Sequence, residues 1–208
     1  DNAGGGKKSP VSMLIDVISG TLQPTLGVLA ATGIIKGLLA LFDFIGLIPS
    51  TSGTYQVWYA VADGFFYFLP IILGYTAAKK FKINEFIGMA IGIALCYPAM
   101  VNSTAGEVLG TVFGGTAFEM SYYQTFMGIP VIMPASGYTS SVVPIILAVA
   151  IAAPIEHWLK KVIPDVIKLF VVPFVTLVIM VPLTYLVIGP VASVLCSILS
   201  LVFNAIYS

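Results

Sequence analysis

Long apolar runs recur along this chain, and they constrain its fold more than any other feature. A helix needs about 20 apolar residues to cross roughly 30 Å of hydrocarbon. Stretches of that kind occupy about residues 25–48, 55–78, 84–102, 138–156 and 170–188, and a further apolar run starts near 191. Lipid cannot satisfy exposed backbone N–H and C=O groups, so each run is expected to close its own hydrogen bonds as a helix. The predicted fold class is all-α: a polytopic membrane helix bundle of about five or six spans with interfacial amphipathic helices. Composition points the same way, with 59% of the 208 residues hydrophobic and 9% charged, against about 25% charged in soluble domains. The opening segment DNAGGGKKSP, residues 1–10, reads as a Gly-rich linker. Residues 11–208 then form one membrane part with no separate soluble module. The far end stops inside an apolar run, SVLCSILSLVFNAIYS, and the chain is expected to be a fragment at both ends.

Charge placement gives those spans a direction. All nine basic residues are lysine, and without clustered Lys/Arg or arginine forks the chain is not expected to bind nucleic acid. Lys7 and Lys8 precede the first span, Lys79, Lys80 and Lys82 follow the second, and Lys160, Lys161 and Lys168 follow the fourth. The connections between these clusters carry no lysine. Positive loops stay cytoplasmic, so one topology, with the N-terminus inside, accommodates all three clusters. Cys96 and Cys196 lie far apart in apolar segments and suggest neither a disulfide framework nor a metal site. No metal or other cofactor is expected.

Two stretches read as interfacial. In IEHWLKKVIPDVIKLF the apolar pairs Trp158/Leu159, Val162/Ile163 and Val166/Ile167 recur every four residues between Lys160, Lys161, Asp165 and Lys168. That pattern predicts a helix lying on the membrane surface, bent or interrupted at Pro164. Residues 11–22, VSMLIDVISGTL, are a weaker case of the same kind. The connection 103–137 is rich in Gly, Thr and Tyr, and its apolar piece MGIPVIMP is too short to span. A structured external loop and a partial re-entry both fit it. Asn102, Ser103 and Thr104 spell a glycosylation triplet of a kind common by chance.

The sharper signal is charge inside the spans. Lys36 sits near the middle of the first span, where an isolated lysine or aspartate costs about 2.5–3.5 kcal/mol. It should therefore face protein or water and be paired. Asp63 in the following antiparallel span and Asp43 nearer the outer end of the first are the partners the sequence offers. A charge pair joining two helices, contact with a polar permeant, and a pore or proton-relay role all remain open for Lys36 and Asp63. No nucleotide-binding loop, metal cluster or supported Ser/His/Asp set is present, and no catalytic residue is assigned. His157, the only histidine, and its neighbour Glu156 read as interfacial polar residues. Trp58 and Tyr59 are as suited to anchoring at the interface as to stacking on a sugar. Pro70, Pro98, Pro144, Pro154, Pro173 and Pro182 suit broken helices but are ordinary in membrane spans.

The segments TLQPTLGVLAATGIIKGLLAL, DGFFYFLPIILGYTAAKKF and GIPVIMPASGYTSSVVPIILAVAIAAPIEHWLKKVIPDVIKLFVVPFVTLVIMVPLTYLVIGPV together resemble the membrane-embedded IIC domain of bacterial phosphotransferase-system sugar permeases. Within the glucose superfamily the set is most similar to the β-glucoside branch, and the resemblance runs from about residue 11 to the end. It implies a multi-pass protein of the bacterial plasma membrane that carries a sugar inward and phosphorylates it on arrival. The phosphoryl group would come from a phosphocysteine on a IIB domain, itself supplied by a IIA domain. It also implies a homodimer in membrane lipid, with the first helices as the scaffold. Lys36 falls in the family's KGLL segment and Asp63 in its D-x-x-F-x-x-x-P segment; Asp43 matches no family pattern. The later GITEP-like sugar-binding segment and the IIB cysteine motif are absent, so the chain reads as the N-terminal scaffold portion. The alternatives are a facilitative or ion-coupled secondary transporter, in which Lys36 and Asp63 would serve gating, and a non-transporting membrane scaffold. Phosphoenolpyruvate-dependent phosphorylation against dependence on an ion gradient separates the first two, and purified dimers that bind no sugar would favour the third.

Overall fold

The computed structural model describes residues 9–134 and 136–207. Most of the predicted linker, with Lys7 and Lys8, lies outside them. Helix α1, Pro10–Leu22, starts where Ser9 Oγ accepts the Ser12 N–H and Pro10 takes the first helical position. A single 3₁₀ turn at Gln23–Thr25 joins it to α2, Leu26–Phe44. Together they make a helical stretch of 35 residues, which at 1.5 Å per residue rises about 52 Å. That exceeds the hydrocarbon thickness, so an upright helix of this length does not fit wholly within it.

Ser52 caps α3, Gly53–Tyr67, and α4, Leu69–Lys80, continues from it after a bend of 46°. Pro70 explains the bend, because it has no N–H to return to the preceding turn. The pair covers the expected span 55–78 as one broken crossing. Asn84 Oδ1 accepts the Phe86 N–H and starts α5, Glu85–Cys96. Pro98 ends α5 and begins the short α6, Pro98–Asn102.

The connection 103–137 is structured. It folds into an antiparallel sheet in the order β1 (Gly110–Val112), β2 (Met120–Phe126), β3 (Ile129–Ile132). Phe126 pairs with Ile129 across Met127 and Gly128, both at positive φ (50° and 83°). A two-residue turn of this hand matches the twist of the two strands.

Helix α7, Val143–Val162, holds Pro154, and α8, Asp165–Leu183, holds Pro173 and Pro182. A π turn at Thr184–Ile188 joins α8 to α9, Gly189–Tyr207, in one helical stretch of 43 residues. Thr176 and Thr184 donate their hydroxyls to Val172 and Met180 carbonyls, which satisfies both side chains inside the helix. The predicted surface helix over 155–170 does not form as a separate element. Its first half completes α7 and its second half begins α8, with Ile163 and Pro164 extended between them. Pro164 is the reason, since the residue before a proline is driven out of the α region.

Glycine decides where the core is tightest. A Cβ on Gly74 of α4 would overlap the carbonyl oxygen of Gly88 in α5, one on Gly88 would overlap that of Gly74, and one on Gly92 would overlap that of Pro70. These small residues let two backbones touch, the main device for packing helices where lipid removes the hydrophobic drive. Leu73, Ala77, Ile87, Ile91, Ile145, Val149, Ala152 and Met180 fill the space among α4, α5, α7 and α8.

Candidate functional site

Connectivity divides the bundle into two ends. The α4–α5 turn and the α7–α8 turn carry Lys79, Lys80, Lys82, Lys160, Lys161 and Lys168, whereas the sheet joins the opposite ends of the α5–α6 arm and α7.

Within the spans, Lys36 of α2 reaches Asp63 of α3, with Nζ 2.7 Å from Oδ1. The Tyr59 and Phe66 rings lie beside the ammonium, each with its centroid 5.7 Å away. Asp43 is not the partner: its Oδ1 accepts the Ser50 N–H at 2.6 Å and holds the α2–α3 turn. The pair is open, with 43% of the Lys36 and 35% of the Asp63 side chain exposed in this chain. Gly33, Gly37 and Gly64 lie on the same two helices, and a Cβ on Gly37 or Gly64 would meet nothing within 4 Å.

At the sheet end, Tyr138 donates its hydroxyl to the Ile132 carbonyl at 2.8 Å and meets Tyr185 edge-on. The Tyr138 side chain is buried, and that carbonyl satisfies its hydroxyl. Tyr185 in turn donates to the Ala94 carbonyl of α5. A Cβ at Gly189 would overlap the Tyr138 hydroxyl, which fixes the start of α9 against this network.

The lysine-rich end corrects one reading of the sequence, that of Glu156 as an interfacial polar residue. Glu156 is fully buried. Its Oε1 lies 2.7 Å from Lys160 Nζ and accepts the Asn84 N–H at 3.4 Å. Its Oε2 has no hydrogen-bond partner among the described residues. A pocket of about 330 Å³ beside it is lined by Asn84, Glu156, Lys160, Asp165, Lys168 and neighbouring apolar residues. Glu156 and Lys160 stand in the i, i+4 order that favours a helical ion pair, and that spacing was the available signal. His157 donates Nε2–H to the Lys82 carbonyl at 3.1 Å, because a carbonyl can only accept. It ties α7 to the α4–α5 turn. Cys96 is buried and Cys196 exposed.

Among the described residues, four helical stretches are long and apolar enough to cross a membrane, and the bent α3–α4 pair makes a fifth. These features define a multi-pass membrane protein. Residues 19–208 match the family model described as phosphotransferase system, EIIC, and the chain belongs to that family, whose setting is the bacterial plasma membrane. It is 56% identical over 179 residues to the β-glucoside-specific EIIBCA component of Halalkalibacterium halodurans, covering 86% of this chain and 28% of that protein. The β-glucoside-specific EIIBCA component of Dickeya chrysanthemi is 40% identical over 196 residues, covering 93% and 29%. A sucrose-specific EIIBC component of Bacillus subtilis is 27% identical over 201 residues, covering 97% and 41%. The chain thus spans less than half the length of each of these relatives. No solved structure matches it.

Proposed function

We propose that this chain is the N-terminal, scaffold part of the EIIC membrane domain of a β-glucoside permease. In this reading the complete protein translocates a β-glucoside inward and phosphorylates it as it reaches the cytoplasm. IIB and IIA domains pass the phosphoryl group, and the permease works as a sugar phosphotransferase. The observation that carries the reading is the 56% identity to a β-glucoside-specific component over most of this chain. Residues 11–208 are taken as the membrane part, with the N-terminus cytoplasmic and the lysine-rich end facing inward.

Lys36 and Asp63 serve this function as a brace between α2 and α3. Their ion pair holds the first two spans in register, and its open side faces a second permease in a homodimer. The open Gly37 and Gly64 positions, with the exposed apolar side chains Ile34, Leu38, Leu41 and Val61 nearby, support that assignment. Neither a gating charge nor a permeant contact is needed to account for the pair.

The test uses membrane vesicles containing the complete protein. Phosphoenolpyruvate with the soluble phosphocarrier proteins should yield phosphorylated aryl β-glucoside, and collapsing ion gradients should leave the yield unchanged. Uptake of unmodified glucoside driven by an ion gradient would support the secondary-transporter reading instead. For orientation, Gly110→Cys should react with an impermeant thiol reagent in whole cells and Lys80→Cys should not; the reverse labelling overturns the assigned topology.

A further inference from the structure

A second pocket, of about 280 Å³, lies between the sheet and α9, at the end of the bundle opposite the lysines. Phe118, Glu119, Ser121, Tyr123, Ser193 and Ser197 line it. Strand pairing explains how Tyr123 comes to be there. Tyr122 pairs with Ile132 and Gln124 with Val131, which leaves Tyr123 as the extra residue of a bulge. Bulges re-aim the side chain they carry. Across the pocket, Ser193 and Ser197 stand one helical turn apart on the same face of α9.

These polar groups are open and largely unspent. Glu119 is exposed and accepts the Gly115 N–H through Oε2, which leaves Oε1 free. Ser197 donates to the Ser193 carbonyl and keeps its own lone pairs. The hydroxyls of Ser121, Tyr123 and Ser193 have no partner among the described residues, and none of the three is sealed from solvent, since Glu156 Oε2 alone has that combination there. Their oxygens are therefore accessible to a ligand. Counted from Lys168 along the α8–α9 stretch, Ser193 lies about 38 Å away at 1.5 Å per residue. In an upright helix that clears roughly 30 Å of hydrocarbon, so the pocket meets water.

The lining sorts the ligands. An anion would meet the Glu119 carboxylate and no basic side chain, because none lines the pocket. A wholly apolar ligand would strip water from the hydroxyls and return no hydrogen bond. A neutral polyol satisfies both parts: its hydroxyls donate to the carboxylate and exchange bonds with Ser121, Ser193 and Ser197. Its C–H face lies against the Tyr123 and Phe118 rings. We infer that this pocket is a binding subsite for an unmodified sugar, on the outer face under the topology proposed above. Sugar collects there before it enters the membrane, and the carboxylate keeps phosphorylated sugar out.

Protection from labelling tests this in cells making the complete permease with Cys196→Ser. An impermeant maleimide should modify Ser193→Cys in that background. Methyl β-glucoside at about ten times its Kd leaves roughly one site in ten free, and should slow the labelling about tenfold. Glucose 6-phosphate should not protect, and labelling of Gly110→Cys, outside the pocket, should not respond to sugar. Glu119→Gln keeps an oxygen for the Gly115 amide, and should raise the half-protecting concentration about tenfold through loss of one charge-assisted hydrogen bond. Protection unchanged by Glu119→Gln overturns the proposal, because the sugar then acts from elsewhere. An unreactive Ser193→Cys beside a reactive Gly110→Cys overturns it too, as does protection by sodium ions without sugar, which would mark a cation site. Phosphorylation of the glucoside is scored separately. Its loss with protection retained removes the permease reading and keeps the subsite, whereas phosphorylation without protection removes the subsite alone. Labelling of both cysteines only in inside-out vesicles overturns the topology, and protection measured there still decides the subsite.

Discussion

Two ion pairs in this protein have the same length and opposite surroundings. Lys36–Asp63 and Lys160–Glu156 both close at 2.7 Å. Asp63 keeps 35% of its side-chain surface and Glu156 none. The helices differ accordingly: α2 and α3 leave open space at Gly37 and Gly64, while α4 and α5 meet backbone to backbone at Gly74 and Gly88. The distance between charges therefore says little about what each pair holds. An open pair is weak by itself and useful as a surface for a partner, whereas a closed one is costly to break because the survivor stays buried.

Backbone contact gives the largest expected effect. Gly88→Ala places a methyl group where the Gly74 carbonyl sits, and α4 and α5 must separate. The expected loss is about 3 kcal/mol or more, seen as a lower melting temperature and less monodisperse protein in detergent. Gly37→Ala on α2 should change neither measurement. Equal effects at the two sites would mean that the tight and open regions are not distinct.

The buried pair should respond asymmetrically. Lys160→Ala leaves the Glu156 carboxylate sealed without its cation, and the expected loss is about 2 kcal/mol. Glu156→Gln removes that buried charge and leaves a half-exposed lysine that water can solvate, so its cost should be smaller. Thermal melts of both variants check the order. A larger loss for Glu156→Gln would show that the carboxylate acts chiefly as an anchor for Asn84, to which it is also bonded.

Much of this arrangement was legible before any coordinates. The apolar runs located the spans because a membrane forces each run to satisfy its own backbone. The cost of charge inside hydrocarbon singled out Lys36 and required a partner for it. Choosing Asp63 over Asp43 was beyond the sequence, since it depended on Asp43 turning to the Ser50 amide. The four-residue rhythm of 155–170 was real and its expected interruption at Pro164 is present, but the two halves extend α7 and α8 instead of standing as a separate surface helix. The sheet was hidden because its short strands alternate weakly and its turn uses Met127 at positive φ, where glycine or asparagine would have given a signal. Glu156 was read as an interfacial residue because burial is a tertiary property. Its depth comes from α4, α5 and α8 closing around α7, and Gly74 and Gly88 permit that approach.

The open pair gives the smallest effect and the sharpest test of its role. With both side chains more than a third exposed, Lys36→Ala should cost no more than about 1 kcal/mol in the monomer. If its open face meets a second copy, the same substitution should weaken the dimer more than it weakens the fold, because there the unpaired Asp63 carboxylate would be shut away from solvent. Exchanging the two residues, Lys36→Asp with Asp63→Lys, restores opposite charges across the same helices and should recover most of the dimer fraction in cross-linking experiments. Failure of the exchange with a normal melting temperature would place the specificity in the surroundings of each charge, such as the Tyr59 and Phe66 rings beside the ammonium. Equal loss of fold and dimer in both the single and exchanged variants would overturn the brace, since a pair acting through its charges tolerates their reversal.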